Sequence, residues 1–416
     1  MNPSQIFTPF HLPNGLALSN RLVKAAMEEN LATEEHTPGT ALWNLYEAWA
    51  NGGVGLIITG NVMIDGRALT GPGGVVLEST QFLDEFRTWA QKSKSNGTKI
   101  IMQINHPGRQ VLSKMQGNIW APSAIPLNMG GFSKLFGKPK EMTMDEIEET
   151  IRRFANTAFL AENAGFDGVE IHAAHGYLIS QFLSPLSNQR TDKYGGSLEN
   201  RSRFLLEVIS NVRSKVKPGF VVGVKLNSAD FQKGGFDIED AKKVIAMLAD
   251  IKGVDFVELS GGSYEAPAMQ GDSGDERTLA REAYFLEFAK EITKTSSIPI
   301  MVTGGIRRKE IAEEVISSGV SLVGIATALA LNPDLPNDWK NQNTDTKNLP
   351  TVTWKSKPLV ALANMAMVKY QLNRMAEGKK PSLKISPLFT VIKDQIKTNF
   401  KIKKYHAWLK QHYPVR

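Results

Sequence analysis

Eight short apolar runs, each followed by a segment with helical periodicity, constrain the fold of this chain more than any other feature. The runs are 21–26, 54–59, 99–104, 167–172, 220–226, 254–259, 299–303 and 321–325. Helix-like stretches lie between or after them near 39–51, 80–96, 143–164, 197–216, 238–251, 282–294, 308–318 and 356–377. Strands that alternate with helices at this spacing imply parallel pairing through right-handed crossovers. Eight such units suit a closed α/β architecture, a (β/α)8 TIM barrel, better than an open sheet. No Gly-x-Gly-x-x-Gly follows the first run, which counts against a doubly wound dinucleotide-binding sheet. A prior of about 150 residues per domain would split 416 residues further, but barrels with insertions exceed that length as one unit. The expected division is a barrel over 1–340, with the last barrel helix and a C-terminal extension over 341–416.

Three parts fall outside the repeat. Residues 6–18 read as an N-terminal hairpin with Asn14-Gly15 at the turn, able to plug the closed end of a barrel. Residues 105–142 and 261–280 are long connections rich in Gly, Pro, Ser and Met. Each follows a strand at the end where barrels build substrate specificity. The third part is basic. Residues 345–416 hold 15 Lys and Arg against 3 acids, a surplus of 12, whereas the preceding 344 residues hold 34 against 39. Its stretch 388–412 reads as one or two amphipathic helices, suited to packing on the barrel, to a second subunit, or to an anionic membrane surface.

The chain has no cysteine, which excludes disulfides, iron–sulfur clusters and thiolate zinc sites. The first ten residues lack the basic and apolar regions of a secretory signal, and no apolar run approaches the roughly 20 residues that span a bilayer. A cytoplasmic enzyme with a small-molecule substrate is expected, with no nucleic-acid partner and no transmembrane segment.

The most informative stretch runs from 170 to 203, EIHAAHGYLISQFLSPLSNQRTDKYGGSLENRSR. Period-2 alternation puts Glu170 and His172 on one strand face, with His172 at the C-terminal lip. His175 and Tyr177 follow. Two imidazoles and a phenol close together can donate two hydrogen bonds to one oxygen and a proton to a nearby carbon. His-x-x-His by itself fits a metal pair or ordinary loop histidines equally well. Glu170 needs a partner if it faces inward.

The run HAAHGYLISQFLSP followed by NQRTDKYGGSLENRSRF resembles the Old Yellow Enzyme family of FMN-dependent oxidoreductases, and also the barrel domain of 2,4-dienoyl-CoA reductase. LPNGLALSNRLVKAAM, LIITGNVMIDGR, QINHPGRQ, VTGGIR and VGIATALALNPDLP support the resemblance over residues 5–335. It implies an NAD(P)H-dependent ene-reductase with catalytic Tyr177, His172 and His175. The histidines would bind the carbonyl oxygen of an enone-type substrate, and Tyr177 would protonate its α-carbon while hydride from FMN reaches the β-carbon. It further places Ala26, Met27, Glu28 and Gly60 beside the flavin ring, and Gln103 and Lys225 at its pyrimidine edge. Gly304, Gly305, Gly324, Ala326 and Thr327 fall at its phosphate. It also suggests a homo-oligomer.

Two departures from the family stand out. Ala326-Thr327 replaces the usual Gly-Arg, so a bidentate phosphate contact is lost, with Arg307 a candidate substitute. Glu28 stands where relatives carry Cys or Thr near flavin O4; it can tune the ring, face solvent, or pair with Lys24. Arg190, Asp192, Tyr194, Gly195 and Gly196 read as braces, and Ser197 as a helix N-cap. Other readings of the same barrel are a flavin-dependent dehydrogenase or demethylase, a flavin-free phosphate-binding aldolase or isomerase, and a non-catalytic scaffold carrying the basic tail.

Overall fold

In the computed structural model, residues 4–268 and 282–414 are described. Part of the connection 261–280, from 269 onward, lies outside these residues. The eight strands form as the pattern predicts: β1 Leu22–Lys24, β2 Leu56–Ile58, β3 Lys99–Asn105, β4 Gly168–Ala173, β5 Val221–Asn227, β6 Phe256–Ser260, β7 Ile300–Val302 and β8 Leu322–Ile325. They pair in sequence order, all parallel, and β8 returns to β1, so the sheet closes on itself. Helices α1 Thr40–Asn51, α2 Leu83–Lys92, α3 Met144–Asn163, α4 Leu198–Lys215, α5 Ile238–Asp250, α6 Leu286–Thr293, α7 Lys309–Ser317 and α8 Lys357–Ala376 fill the predicted stretches. Every residue of β4 and β5 is buried, as expected of parallel strands covered on both faces.

Local chemistry fixes the helix starts. Thr143 and Glu146 form a reciprocal capping box at α3, and Ser197 accepts from the Asn200 amide at α4, as its sequence position suggested. Inside the barrel, Val23, Leu56, Ile58, Ile101, Val221, Phe256, Met301 and Leu322 pack with Leu12 and Leu18 of the N-terminal hairpin. The hairpin pairs Phe10 with Leu18, and Gly15 takes a φ of 90° at its turn. It therefore seals the barrel floor. Gly223 is required here, because a Cβ would lie 2.3 Å from the Phe256 ring that fills the lumen.

Two features were not legible beforehand. Val62–Met63 and Val75–Val76 extend the sheet beyond the end of β2. The connection 105–142 contains a small parallel pair, Trp120–Ala121 with Lys140–Glu141. The tail is a single helix, α9 Pro387–His412. Its second half lays Ile402, Tyr405 and Trp408 on Met63, Leu69, Val76 and Met115. Tyr405 Oη donates to the Gly66 carbonyl at 2.9 Å, and a Cβ at Gly66 would come within 2.5 Å of Trp408. Lys401 donates to the Asn30 carbonyl, Lys404 pairs with Glu34, and Tyr413 reaches Glu78. His36 stands edge-on to both Tyr405 and Trp408, at 5.3 and 4.6 Å. α9 thus clamps the loops that follow β1 and β2. No helix among the described residues is long and apolar enough to cross a membrane.

Burial depresses the imidazoles of His36 and His106 to about 4. The unfolded chain takes up these protons near the ordinary value of about 6.5. Their contribution to stability is therefore complete above about pH 6.5 and is lost as the pH falls toward 4. At pH 5 the loss is about 2 kcal/mol for each ring. The urea midpoint should drop between pH 7 and pH 5, and His36→Gln should make that drop shallower. A midpoint unchanged to pH 5 would contradict the burial of these rings.

Candidate active site

A polar layer crosses the C-terminal half of the barrel lumen. The register sets Glu170 beside Gln103, His172 beside Lys225, and Lys225 beside Glu258. Gln103 Nε2 donates to Glu170 Oε2 at 2.6 Å, and Lys225 Nζ donates to Glu258 Oε1 at 2.7 Å. All four side chains are buried. The remaining oxygens, Glu170 Oε1 and Glu258 Oε2, have no other partner. Burial first, and the neighbouring Glu258 second, push the Glu170 carboxyl well above the usual carboxylate range. A single proton held between the two carboxyl groups satisfies both orphaned oxygens and leaves the layer electrically neutral. Glu258 therefore balances the Lys225 charge, a partner that sequence reasoning did not weigh.

Above this layer stand the three residues of the HAAHGY turn. The His172 ring lies 5.0 Å from His175 and 4.8 Å from Tyr177, both edge-on. His172 Nδ1 accepts from the Ala174 amide, so the proton sits on Nε2. His175 Nε2 meets Ser260 Oγ at 2.7 Å. Either atom of that pair can donate; with the hydroxyl as donor, the His175 proton sits on Nδ1. Burial holds both imidazoles well below their ordinary pKa, with Lys225 adding to it for each and His175 adding to it for His172. Two neutral rings each present one N–H.

Burial pushes the Tyr177 phenol well up, with Tyr264 and Glu28 adding to it and Asn61 opposing. Its Oη lies 3.2 Å from Tyr264 Oη. Tyr264, on the connection after β6, is a site residue missed from the sequence, although it falls two positions beyond the Gly261-Gly262 turn.

The turn is rigidly held. His175 takes a φ of 60° and Gly176 one of 71°. The left-handed pair is fixed by the His175 amide donating to Asn227 Oδ1, and by Gln110 Nε2 and Gln181 Nε2 donating to the carbonyls of His175 and Gly176. Strain of this kind persists only where surroundings over-determine it. The QINHPGRQ segment thus acts as the brace of HAAHGY. Arg109 pairs with Glu265 at 2.6 Å and closes the connection after β6 over the one after β3. Arg190 grips Asp192 beside it and the Pro122 and Met142 carbonyls of the connection after β3, so it braces one connection against the other.

After β1, Lys24 pairs with Glu29, leaving Glu28 to accept from Thr70 Oγ1 at 2.6 Å. Tyr46 Oη donates to Glu29 Oε1 at 2.6 Å and accepts from the Gly60 amide at 2.8 Å. Burial lowers the Lys24 ammonium to about 8. This triad locks Ala26 to Glu28 against Gly60, where a Cβ would lie 2.0 Å from Glu29 Oε2 and 2.2 Å from the Met27 carbonyl. After β7, Gly304 and Gly305 take φ of 117° and 75°, and a Cβ at Gly305 would meet the Tyr284 ring at 2.5 Å. Gly324 backs onto Thr303 and Met301, Ala326 precedes the short helix Thr327–Leu331, and Thr327 is exposed. Arg307 is held by Glu282 and Asn348.

These residues fit FMN. A carboxamide and an ammonium line one wall, a glycine turn with no room for a side chain at Gly305 follows β7, Gly324 leaves equally little room at the end of β8, and neutral N–H donors with a phenol stand at the same mouth.

The sequence profile of the NADH:flavin oxidoreductase / NADH oxidase family matches residues 5–346. The NADH-dependent flavin oxidoreductase iliE of Hypocrea jecorina is 40% identical over 354 residues, covering 79% of this chain and 87% of that protein. The NADH oxidase of Thermoanaerobacter brockii is 36% identical over 341 residues, covering 78% of this chain and 50% of that protein. Among solved structures, the old yellow enzyme homologue from Zymomonas mobilis superposes with a TM-score of 0.69 at 26% identity, covering 83% of this chain and 95% of that one. 2-Naphthoyl-CoA reductase gives 0.75 at 25% identity over 82% of this chain. The chain spans about half the length of that reductase and of the T. brockii oxidase.

Removing Lys225 strands a buried charge. Lys225→Met should cost about 3–5 kcal/mol in urea unfolding, whereas the double variant with Glu258→Gln should recover most of that loss. Equal destabilisation in both would mean that the two groups do not compensate each other.

Proposed function

The chain belongs to the NADH:flavin oxidoreductase / NADH oxidase family, and on that basis we propose that it reduces the activated C=C bond of an α,β-unsaturated carbonyl compound, with NAD(P)H as the electron source. The observation that carries this reading is the packing of a second neutral imidazole and a buried phenol within 5.0 Å of the His172 ring at the lip of the barrel. FMN, when bound, supplies the hydride chemistry between nicotinamide and the β-carbon of the substrate.

His172 Nε2–H and His175 Nδ1–H donate to the substrate carbonyl oxygen. Negative charge grows there as hydride arrives, so the two donors bind the transition state more tightly than the ground state. Neutral rings suit this role, because they bring no extra positive charge into a buried site. Tyr177 Oη–H protonates the α-carbon. Its raised pKa makes it a poor acid toward water but a competent one toward an enolate-like carbon. Tyr264, hydrogen-bonded to it, stabilises the resulting phenolate and passes on a solvent proton. Hydride and proton together saturate the double bond while NAD(P)H becomes NAD(P)+.

The remaining assignments follow the same reading. Gln103 and Lys225 hold the pyrimidine edge, and Ala26, Met27, Glu28 and Gly60 hold the flank of the ring. Gly304, Gly305, Gly324, Ala326 and Thr327 take the phosphate through backbone N–H groups and one hydroxyl. Arg307, the candidate substitute for the missing guanidinium, is paired with Glu282. The barrel over 1–340 carries the chemistry, and 341–416 supports it.

Tyr177→Phe should slow the alkene half-reaction roughly 100-fold or more in anaerobic stopped-flow, while reduction of the cofactor by NADH changes only a few-fold. Equal slowing of both half-reactions would remove Tyr177 from the proton-donor role.

A further inference from the structure

Eleven large hydrophobic side chains are exposed among the described residues, and eight of them lie between Leu359 and Phe400. Five belong to α9: Leu388, Phe389, Ile392, Ile396 and Phe400, with exposures from 51% to 66%. Their spacing of three and four residues places them on one stripe of the helix. Tyr405, Ile402 and Trp408, which fix α9 to the barrel, lie on the opposite face. The stripe is thus presented outward by a helix whose other side is anchored.

The charge around the stripe is predominantly positive. The groove between α8 and α9 is lined by Lys369, Arg374, Lys379, Lys393 and Lys397, with only Glu377 and Asp394 opposing them. Lys393 Nζ lies over the Phe389 and Tyr370 rings at 5.8 and 5.0 Å, and Lys404 Nζ over Phe400 at 4.4 Å. Ammonium groups capping apolar rings are suited to a boundary with an apolar interior and an anionic surface. All of this lies beyond residue 346, where the family match ends, and so outside the shared barrel.

We propose that the outer face of α9, with the basic groove it shares with α8, docks the protein on an anionic phospholipid surface. The apolar stripe enters the boundary between headgroups and acyl chains, and the lysines meet lipid phosphates. A symmetric second copy fits less well, because an isologous contact would press two patches of like charge together. Nucleic acid would account for the cations but leave the aliphatic residues Leu388, Ile392 and Ile396 without a role.

The test is cosedimentation of the full-length, FMN-loaded protein with vesicles of phosphatidylcholine mixed with phosphatidylglycerol, and with vesicles of phosphatidylcholine alone. Binding to the anionic vesicles should exceed binding to the neutral ones by roughly tenfold or more, since each lysine near such a surface adds to the attraction. It should disappear in about 1 M salt, where screening acts within about 3 Å. Ile392→Glu with Ile396→Glu should abolish it while NADH oxidation stays at the parent rate, since both side chains are on the surface far along the tail. No sedimentation with either vesicle, or equal sedimentation with both, overturns the proposal. So does a dimer in light scattering that the double variant dissolves in protein that binds no vesicle, which assigns the stripe to a second copy.

Discussion

The compensation of one ammonium by two carboxyl groups in the barrel lumen is the constraint on which the rest of the site depends. An isolated charge at the depth of Lys225, Glu258 or Glu170 would be costly in a dry interior. The parallel register removes the difficulty by setting each next to a complement: Gln103 by Glu170, and Lys225 by Glu258. One proton between the carboxyl groups closes the account. The layer is thus neutral as a whole, while burial and the nearby Lys225 ammonium keep the imidazoles above it uncharged. A site that needs neutral N–H donors is thereby built on a floor full of ionisable groups.

A second constraint is mutual support among loops. The HAAHGY turn is held in a left-handed conformation by Gln110, Gln181 and Asn227, which come from three other parts of the chain. Asn227 also reaches the Gly262 carbonyl, so the same side chain ties the connections after β4 and β6 together. Tyr177 and Tyr264 meet because those two connections are joined at their base.

The fold was legible because it rests on periodicity. Eight buried parallel strands leave long apolar runs, and each helix repeats its apolar face, so all eight units lie close to where the pattern puts them. Within the site, the cluster His172, His175 and Tyr177 was legible because its three members lie within six residues of one another. Partners joined only by register or by loop contact were not. Glu258 looks like any polar residue in a strand until β5 and β6 are aligned, and Tyr264 sits in a connection with no period to read. Glu28 and Glu29 are adjacent and chemically identical on the page, and only the position of Tyr46 decides which of them meets Lys24. Gly60, read as making room for a ring, also makes room for Glu29.

The clamp between α9 and the loops after β1 and β2 has a consequence for synthesis. Asn30 and Lys401 are 371 positions apart, yet they share a hydrogen bond at the rim. A ribosome must add nearly the whole barrel, and then the tail, before the carbonyl of Asn30 finds its partner. The strands can pair as they emerge, but the finished mouth waits for a helix translated long afterwards. Until then a nascent chain is a barrel without its rim, its first two loops still waiting for the helix that holds them.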